Sequence, residues 1–247
     1  MASGRRGTAD LAGPSPGRPA ADLVGSATRS LHQLQLDPDR NEEDALRRRG
    51  FRFVAGIDEV GRGALAGPVV AAAVVLPVGW VSRGLRESKL LRPHERERLA
   101  DEIRRVAVAW AIAAVEPALI DRLNILRATE LATLVATGRL AVRPDALILD
   151  GTLAFPDLPL AQRALVDADR RCLSVAAASV LAKVERDRIM VELDVRYPGY
   201  GLANNKGYAA PDHLAALQRL GPSPIHRRSF APCGASPVEV DDQTAAI

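Results

Sequence analysis

Pro68 to Leu76 is an unbroken run of valine, alanine and leucine behind a proline, with no polar side chain. A strand with one wet face alternates apolar and polar residues, so this run predicts a strand covered on both faces, inside a sheet that carries helices on either side. Phe51 to Asp58 reads as the strand before it, across a turn punctuated by Gly61, Gly63 and Gly67. Arg92 to Val106 has Pro93 at its start and Leu99, Ile103 and Val106 on one face, the pattern of a helix. A strand over Val106 to Val115, a broken helical stretch over Asp121 to Leu140, a strand over Ala146 to Asp150 and a short strand ending at Val166 follow. The longest helix is expected to begin on Ser174 as its N-cap and to run to about Arg196, ahead of Pro198, with a last helix after Pro211. Strands first, then strands and helices interleaved, define an α/β domain with a mixed sheet flanked by helices and a C-terminal helical region.

At 247 residues, 47% apolar and 26% charged, the chain has the composition of a globular protein. Residues 1–28, rich in Ala, Gly, Pro, Ser and Arg, read as a disordered tail, and Pro14, Pro16 and Pro19 oppose the amphipathic helix of a transit peptide. Residues 29–50 form an N-terminal extension with a short helix at Asn41 to Arg49, acidic at its start and basic at its end. The domain proper is 51–232, and 233–247 is an acidic, disordered tail. The apolar stretches Ala64 to Val78 and Val106 to Val115 fall short of the roughly 20 residues of a membrane span. Cys172 and Cys233 are the only cysteines, too few for a disulfide framework, so a reducing cytoplasm is the expected setting. A net charge of +3 is too small to argue for nucleic-acid binding; only a local basic patch would do so.

Four acids fall where sheet proteins place sites: Asp58 and Glu59 at the end of the first strand, Asp150 at the end of a later one, and Asp169 before the longest helix. Oxygen ligands without His or Cys partners suit Mg²⁺ or Mn²⁺, while solvation or pairing with one of the many arginines is the ordinary fate of such acids. Adjacent strand residues point to opposite faces, so Asp58 and Glu59 share a site only where the strand ends or bends, for which Gly61 and Gly63 are suited. Lysine is confined to Lys89, Lys183 and Lys206, and tyrosine to Tyr197, Tyr200 and Tyr208. Phosphate contact is one reading of the lysines; an ion pair with Asp187, four residues on, is the other for Lys183.

The run Gly56-Ile57-Asp58-Glu59-Val60-Gly61-Arg62-Gly63-Ala64-Leu65-Ala66-Gly67-Pro68 resembles the signature of the ribonuclease HII family of type 2 ribonucleases H. Further matches follow in that family's order: Glu87-Ser88-Lys89, Asn124-Ile125, Leu149-Asp150-Gly151, Ala168-Asp169, Ala176 to Ser179 and Lys183, Asn205-Lys206-Gly207-Tyr208, and His226 to Phe230. The resemblance covers about residues 40 to 232. It implies an RNase H-like fold, with Asp58, Glu59, Asp150 and Asp169 as catalytic carboxylates that bind Mn²⁺ or Mg²⁺. It also makes Gly61, Arg62, Gly63 and Tyr208 the group that recognises an RNA to DNA junction, with Lys89, Lys183 and Lys206 as further nucleic-acid contacts. Enzymes of this family cut the RNA strand of RNA/DNA hybrids and cut 5′ of ribonucleotides embedded in duplex DNA, leaving 3′-hydroxyl and 5′-phosphate ends, the opening step of ribonucleotide excision repair; the expected state is a monomer.

Two departures stand out: Glu87 replaces a common Asp, and Asp167 adds a negative charge where a basic residue often stands. The ribonuclease HIII family lacks the central arginine of Gly-Arg-Gly, so Arg62 argues against it, and the complete set of acids argues against a non-catalytic hybrid-binding protein. His226 is read as fixing the final loop rather than as a general base.

Overall fold

The computed structural model describes residues 38–82, 84–152 and 154–234; the expectations for residues 1–28 and for the tail from Ala235 lie outside them. Five strands form one mixed sheet in the order β3-β2-β1-β4-β5. They are β1 Val54–Val60, β2 Val69–Val75, β3 Ala109–Val115, β4 Ala146–Asp150 and β5 Ala161–Leu165. β1 pairs antiparallel with β2 and parallel with β4. The helices are α1 Asn41–Arg48, α2 Pro93–Val106, α3 Pro117–Leu123, α4 Ile125–Gly138, α5 Ala168–Arg171, α6 Leu173–Arg196, α7 Leu202–Asn205 and α8 Pro211–Leu220, with one 3₁₀ turn at Ser88–Leu90. No described helix is long and apolar enough to cross a membrane.

Every residue of β2 is buried, as its unbroken apolar run predicts. Val70, Ala72 and Val74 pack with α2 and α6, whereas Val69, Ala71, Ala73 and Val75 pack with α4, β3 and their surroundings. The alanines of α6 bring its backbone down onto the sheet, where it meets Gly56 of β1; an added Cβ there would collide with the backbone of Ser174 and Val175. Gly56→Ala is therefore expected to lower stability by about 3 kcal/mol or more, beyond the usual cost of one extra core methyl because helix backbone cannot rotate aside. Urea unfolding measures it, with Gly63→Ala, which meets open space, as the control.

Three sequence expectations shift. β1 starts at Val54 rather than Phe51 because the Arg52 and Phe53 N–H groups donate to the Asp145 carboxylate, at 2.6 and 3.0 Å, instead of to a strand. β3 starts at Ala109 because Val106 still belongs to α2, whose end is closed by Ala107 N–H on Ile103 O at 2.9 Å. Ser174 is not the N-cap of α6: Cys172 holds that position, and the Ser174 N–H and hydroxyl both donate to buried Glu43 Oε1, at 2.8 and 2.6 Å, tying α1 to α6.

Candidate active site

Past Ile57, β1 has no parallel partner, because its pairing with β4 ends at Ile57 and Leu149. The strand continues through Val60 beside β2 alone, leaving one flank of Asp58, Glu59 and Val60 open. Asp58 and Glu59 therefore reach a common space although the strand does not stop between them, correcting the condition expected from strand alternation. That space is a cavity of about 400 Å³ lined by Asp58, Glu59, Val60, Ser88, Lys89, Asp150, Asp169, Ser179, Lys183 and Tyr208.

Each acid is placed by its own element. Asp58 is buried and accepts the Glu59 N–H at 2.8 Å. Glu59 accepts from Arg62 Nη1 at 3.1 Å. Asp150 ends β4 and accepts the Ala168 N–H at 2.8 Å, which ties it to the short helix carrying buried Asp169. Burial, followed by the neighbouring Glu59 and opposed in part by Ser179, pushes the Asp58 carboxyl well above the usual range. Burial also raises Glu59, with Arg62 opposing it. Burial and then Asp150 raise Asp169 to about 6.

Among the described residues no three His, Cys, Asp or Glu side chains are already drawn together tightly enough to hold an ion. Glu59 is engaged by Arg62 and Asp150 by the Ala168 N–H. The donor set nevertheless fits a hard divalent cation: the ionisable acids on this wall offer only oxygen, and burial first, then neighbouring carboxylates, raise Asp58 and Asp169.

The basic residues divide. Lys89 stands at the cavity mouth with its side chain 82% exposed, 3.8 Å from Glu87 Oε1. Glu87 is buried and takes Arg170 Nε and Nη2 at 2.8 and 2.7 Å, which braces the Lys89 turn against α5. Lys183 lines the cavity and donates to Asp187 Oδ1 at 2.7 Å, so the ion pair is formed. Lys206 does not line this cavity; it lines an adjoining one of about 900 Å³ together with Lys183, Arg96 and Arg188, and its ammonium bonds the Ala203 carbonyl. Asp167, in a left-handed turn, is exposed and does not line the carboxylate cavity.

Gly61, Arg62 and Gly63 form a loop beside the cavity, and Tyr208 reaches its rim. Two fully buried arginines hold these pieces, and neither was singled out by the sequence reading. Arg186 donates to the carbonyls of Pro68, Ala66 and Lys206 at 3.0, 3.1 and 2.9 Å, and its guanidinium lies 5.3 Å from the Tyr208 ring centroid. Arg227 donates to Gly61, Arg62 and Gly67 carbonyls at 2.7 to 3.1 Å. Gly61 has φ +90°, and a Cβ there would strike the Arg186 side chain, so this turn of the loop is closed to other residues. A signal for Arg186 existed in the four-residue spacing Ala182, Arg186, Met190 along a buried helix face. His226 is buried, bonded to His213 and Ser223, and is absent from the cavity wall, in keeping with a structural role.

This mixed five-strand sheet, with Asp58, Glu59, Asp150 and Asp169 gathered on one cavity wall, is an α/β fold of the ribonuclease H-like class. The family model described as Ribonuclease HII matches residues 55–233. Ribonuclease HII of Desulfitobacterium hafniense strain Y51 is 52% identical over 191 residues, which are 77% of this chain and 73% of that protein. Ribonuclease HII of Paracoccus denitrificans is 52% identical over 195 residues, 79% of this chain and 92% of that protein. The crystal structure of ribonuclease H2 from Pyrococcus horikoshii matches with a TM-score of 0.64 at 27% identity, covering 74% of this chain and 96% of that one. The chain belongs to the ribonuclease HII family.

Proposed function

We propose that this ribonuclease H cuts 5′ of single ribonucleotides embedded in duplex DNA as well as within RNA/DNA hybrids, leaving 3′-hydroxyl and 5′-phosphate ends, and serves ribonucleotide excision repair. The observation that carries this reading is the common cavity that joins Asp58, Glu59, Asp150 and Asp169 to Lys89, Lys183 and Tyr208, beside the Gly61-Arg62-Gly63 loop. Asp58, Glu59, Asp150 and Asp169 would hold Mg²⁺ or Mn²⁺, which supplies water activation and charge stabilisation at the leaving oxygen. Lys89, the most exposed ammonium at the mouth, meets a phosphate as a point charge. Lys183 and Lys206 line the adjoining cavity with Arg96 and Arg188 but also with Glu97, Asp187 and Glu192, so a flanking phosphate there would have to draw Lys183 from Asp187. Arg62 exchanges its Glu59 partner for substrate, so binding at once supplies a contact and frees a carboxylate.

The 2′-hydroxyl marks a lone ribonucleotide among deoxyribonucleotides, and the backbone groups of a glycine-flanked loop approach it without a Cβ in the way. Tyr208, with 37% of its surface exposed and its ring backed by Arg186, offers a flat face to the junction sugar or base. Cleavage of a duplex with one ribonucleotide, mapped to the nucleotide in Mg²⁺ and in EDTA, tests the proposal. Products cut 3′ of the ribonucleotide, or equal cleavage in EDTA, would overturn it. For Tyr208→Ala and Arg62→Ala, the ratio of kcat/KM on a lone ribonucleotide to that on a continuous hybrid is expected to drop roughly tenfold, the scale of one lost stacking contact. Arg62→Ala should melt near the parent, its side chain being half exposed, whereas Tyr208→Ala also gives up the ring's contact with Arg186 and should melt slightly lower.

A further inference from the structure

His213 and His226 are completely buried, pack against Tyr200 with ring centroids 6.4 and 4.7 Å from it, and take no part in the carboxylate cavity. Their hydrogen bonds admit a single arrangement of protons. Ser223 N–H, which can only donate, points at His226 Nδ1 at 3.0 Å, and the Ser223 hydroxyl lies 2.8 Å from the same atom. His226 Nδ1 is therefore unprotonated, and in the neutral ring the proton sits on Nε2. That nitrogen faces His213 Nε2 at 3.0 Å, which must accept. The His213 proton is thus on Nδ1, 2.8 Å from the Tyr208 carbonyl, which can only accept. Every link agrees with the next, and burial followed by the neighbouring His213 lowers His226 to about 4, in keeping with a neutral His226 ring.

The chain of bonds ends on the residue that faces the substrate. His226 is also bridged to Ala66 and is followed by Arg227, whose guanidinium holds the Gly61 and Arg62 carbonyls. Two consecutive residues therefore hold both halves of the junction-sensing pair: Arg227 directly, and His226 by way of His213.

We propose that His213 and His226 are positioning residues for ribonucleotide recognition, setting the Tyr208 backbone at a fixed distance from the Gly61-Arg62-Gly63 loop through a one-way relay from Ser223 to Tyr208. The proposal rests on the reading of Tyr208 as a junction sensor. Long-range ¹⁵N–¹H correlation spectra at neutral pH, assigned through His213→Asn and His226→Gln, are expected to show His213 as the Nδ1–H tautomer and His226 as the Nε2–H tautomer. The opposite tautomers, or an imidazolium in either ring, would overturn the relay.

The kinetic arm uses the ratio of kcat/KM on a lone ribonucleotide to that on a continuous hybrid. His213→Asn keeps an N–H donor near the position of Nδ1, whereas His213→Gln and His213→Ala do not. Gln and Ala are expected to lower the ratio roughly tenfold, the scale of one hydrogen bond that must hold its partner in place, and Asn to restore most of it. Should the Ala variant fail to fold, the Asn and Gln pair still decides. If Tyr208→Ala shifts the ratio while His213→Gln leaves it unchanged, the relay is overturned and the junction reading stands. If Tyr208→Ala leaves the ratio unchanged, the junction reading fails and takes the recognition role of the relay with it.

Discussion

Asp58→Asn, Glu59→Gln and Asp150→Asn are each expected to cut turnover roughly 100- to 1,000-fold or more while the protein stays folded, because each removes a charge from the wall that would hold the cation and stabilise the transition state. Wild-type turnover by Asp150→Asn at low Mg²⁺ would remove that residue from the site. Stability in EDTA should move the other way. Asp169 has its folded-state proton affinity raised from an ordinary 3.8 to about 6, so between those values the folded protein binds more protons than the unfolded chain. Its contribution therefore becomes less favourable as pH rises through that window, by up to about 3 kcal/mol. Asp169→Asn abolishes this slope, and its advantage in melting temperature over the parent should be larger at pH 8 than at pH 4. Mg²⁺ should shrink the advantage at pH 8 by stabilising only the parent fully; an advantage independent of both pH and metal would contradict the clustered-acid reading.

The second large effect belongs to Arg227. Its guanidinium is fully buried and bonded to carbonyls of Gly61, Arg62 and Gly67, groups that no side-chain substitution can remove. Burial, followed by the repulsion of Arg186, already lowers its affinity for a proton to about 10, a measure of how costly the charge is in this place. Arg227→Ala removes the guanidinium donor from all three carbonyls, leaving Gly61 only the long Ala64 N–H bond at 3.4 Å, and opens a cavity under the loop, and the expected loss is about 3 to 5 kcal/mol. Arg227→Met restores volume but no donor and is expected to recover only a minor part. Arg228→Ala, one residue on and exposed, should change stability by about 0.5 kcal/mol or less. Thermal unfolding of the three variants provides the comparison, and equal melting temperatures for Arg227→Met and the parent would show that the carbonyls find other partners.

The parts of the fold that could be read from the sequence are those dictated by local pattern. The β2 run is buried on both faces as expected, and β4 occupies Ala146–Asp150 as read. Two of the three shifts come from a distant side chain: Asp145 takes the amides that would have begun β1, and Glu43 takes Ser174 away from the helix cap. Neither partner is visible in a local window. The four acids were legible as types and as a family pattern, and the cavity joins them. Their sharing of one space depends on β4 ending its pairing at Leu149, a register that sequence alone does not reveal. Arg186 was hidden by abundance and Arg227 stood only inside the His226 to Phe230 motif with no role of its own, since in a chain with 33 basic residues, almost all arginine, a buried guanidinium has the same letter as a solvated one. Lys206 was grouped with Lys89 by motif, yet α7 and the left-handed turn at Lys206 direct it to the adjoining cavity.

The bonds from Arg227 to Gly61 and Gly67 span 166 and 160 residues of chain. A ribosome adds roughly 5 to 20 residues per second, so the loop emerges on the order of ten seconds before the guanidinium that shapes it. During that interval the nascent chain can pair β1 with β2, but the Gly61 to Gly67 loop lacks the support of Arg227. A message broken before the codon for His226 yields a polypeptide with every strand of the sheet, all four acids and no set loop. Under the proposed reading, such a polypeptide would carry the complete carboxylate wall beside a Gly61 to Gly67 loop without its guanidinium support.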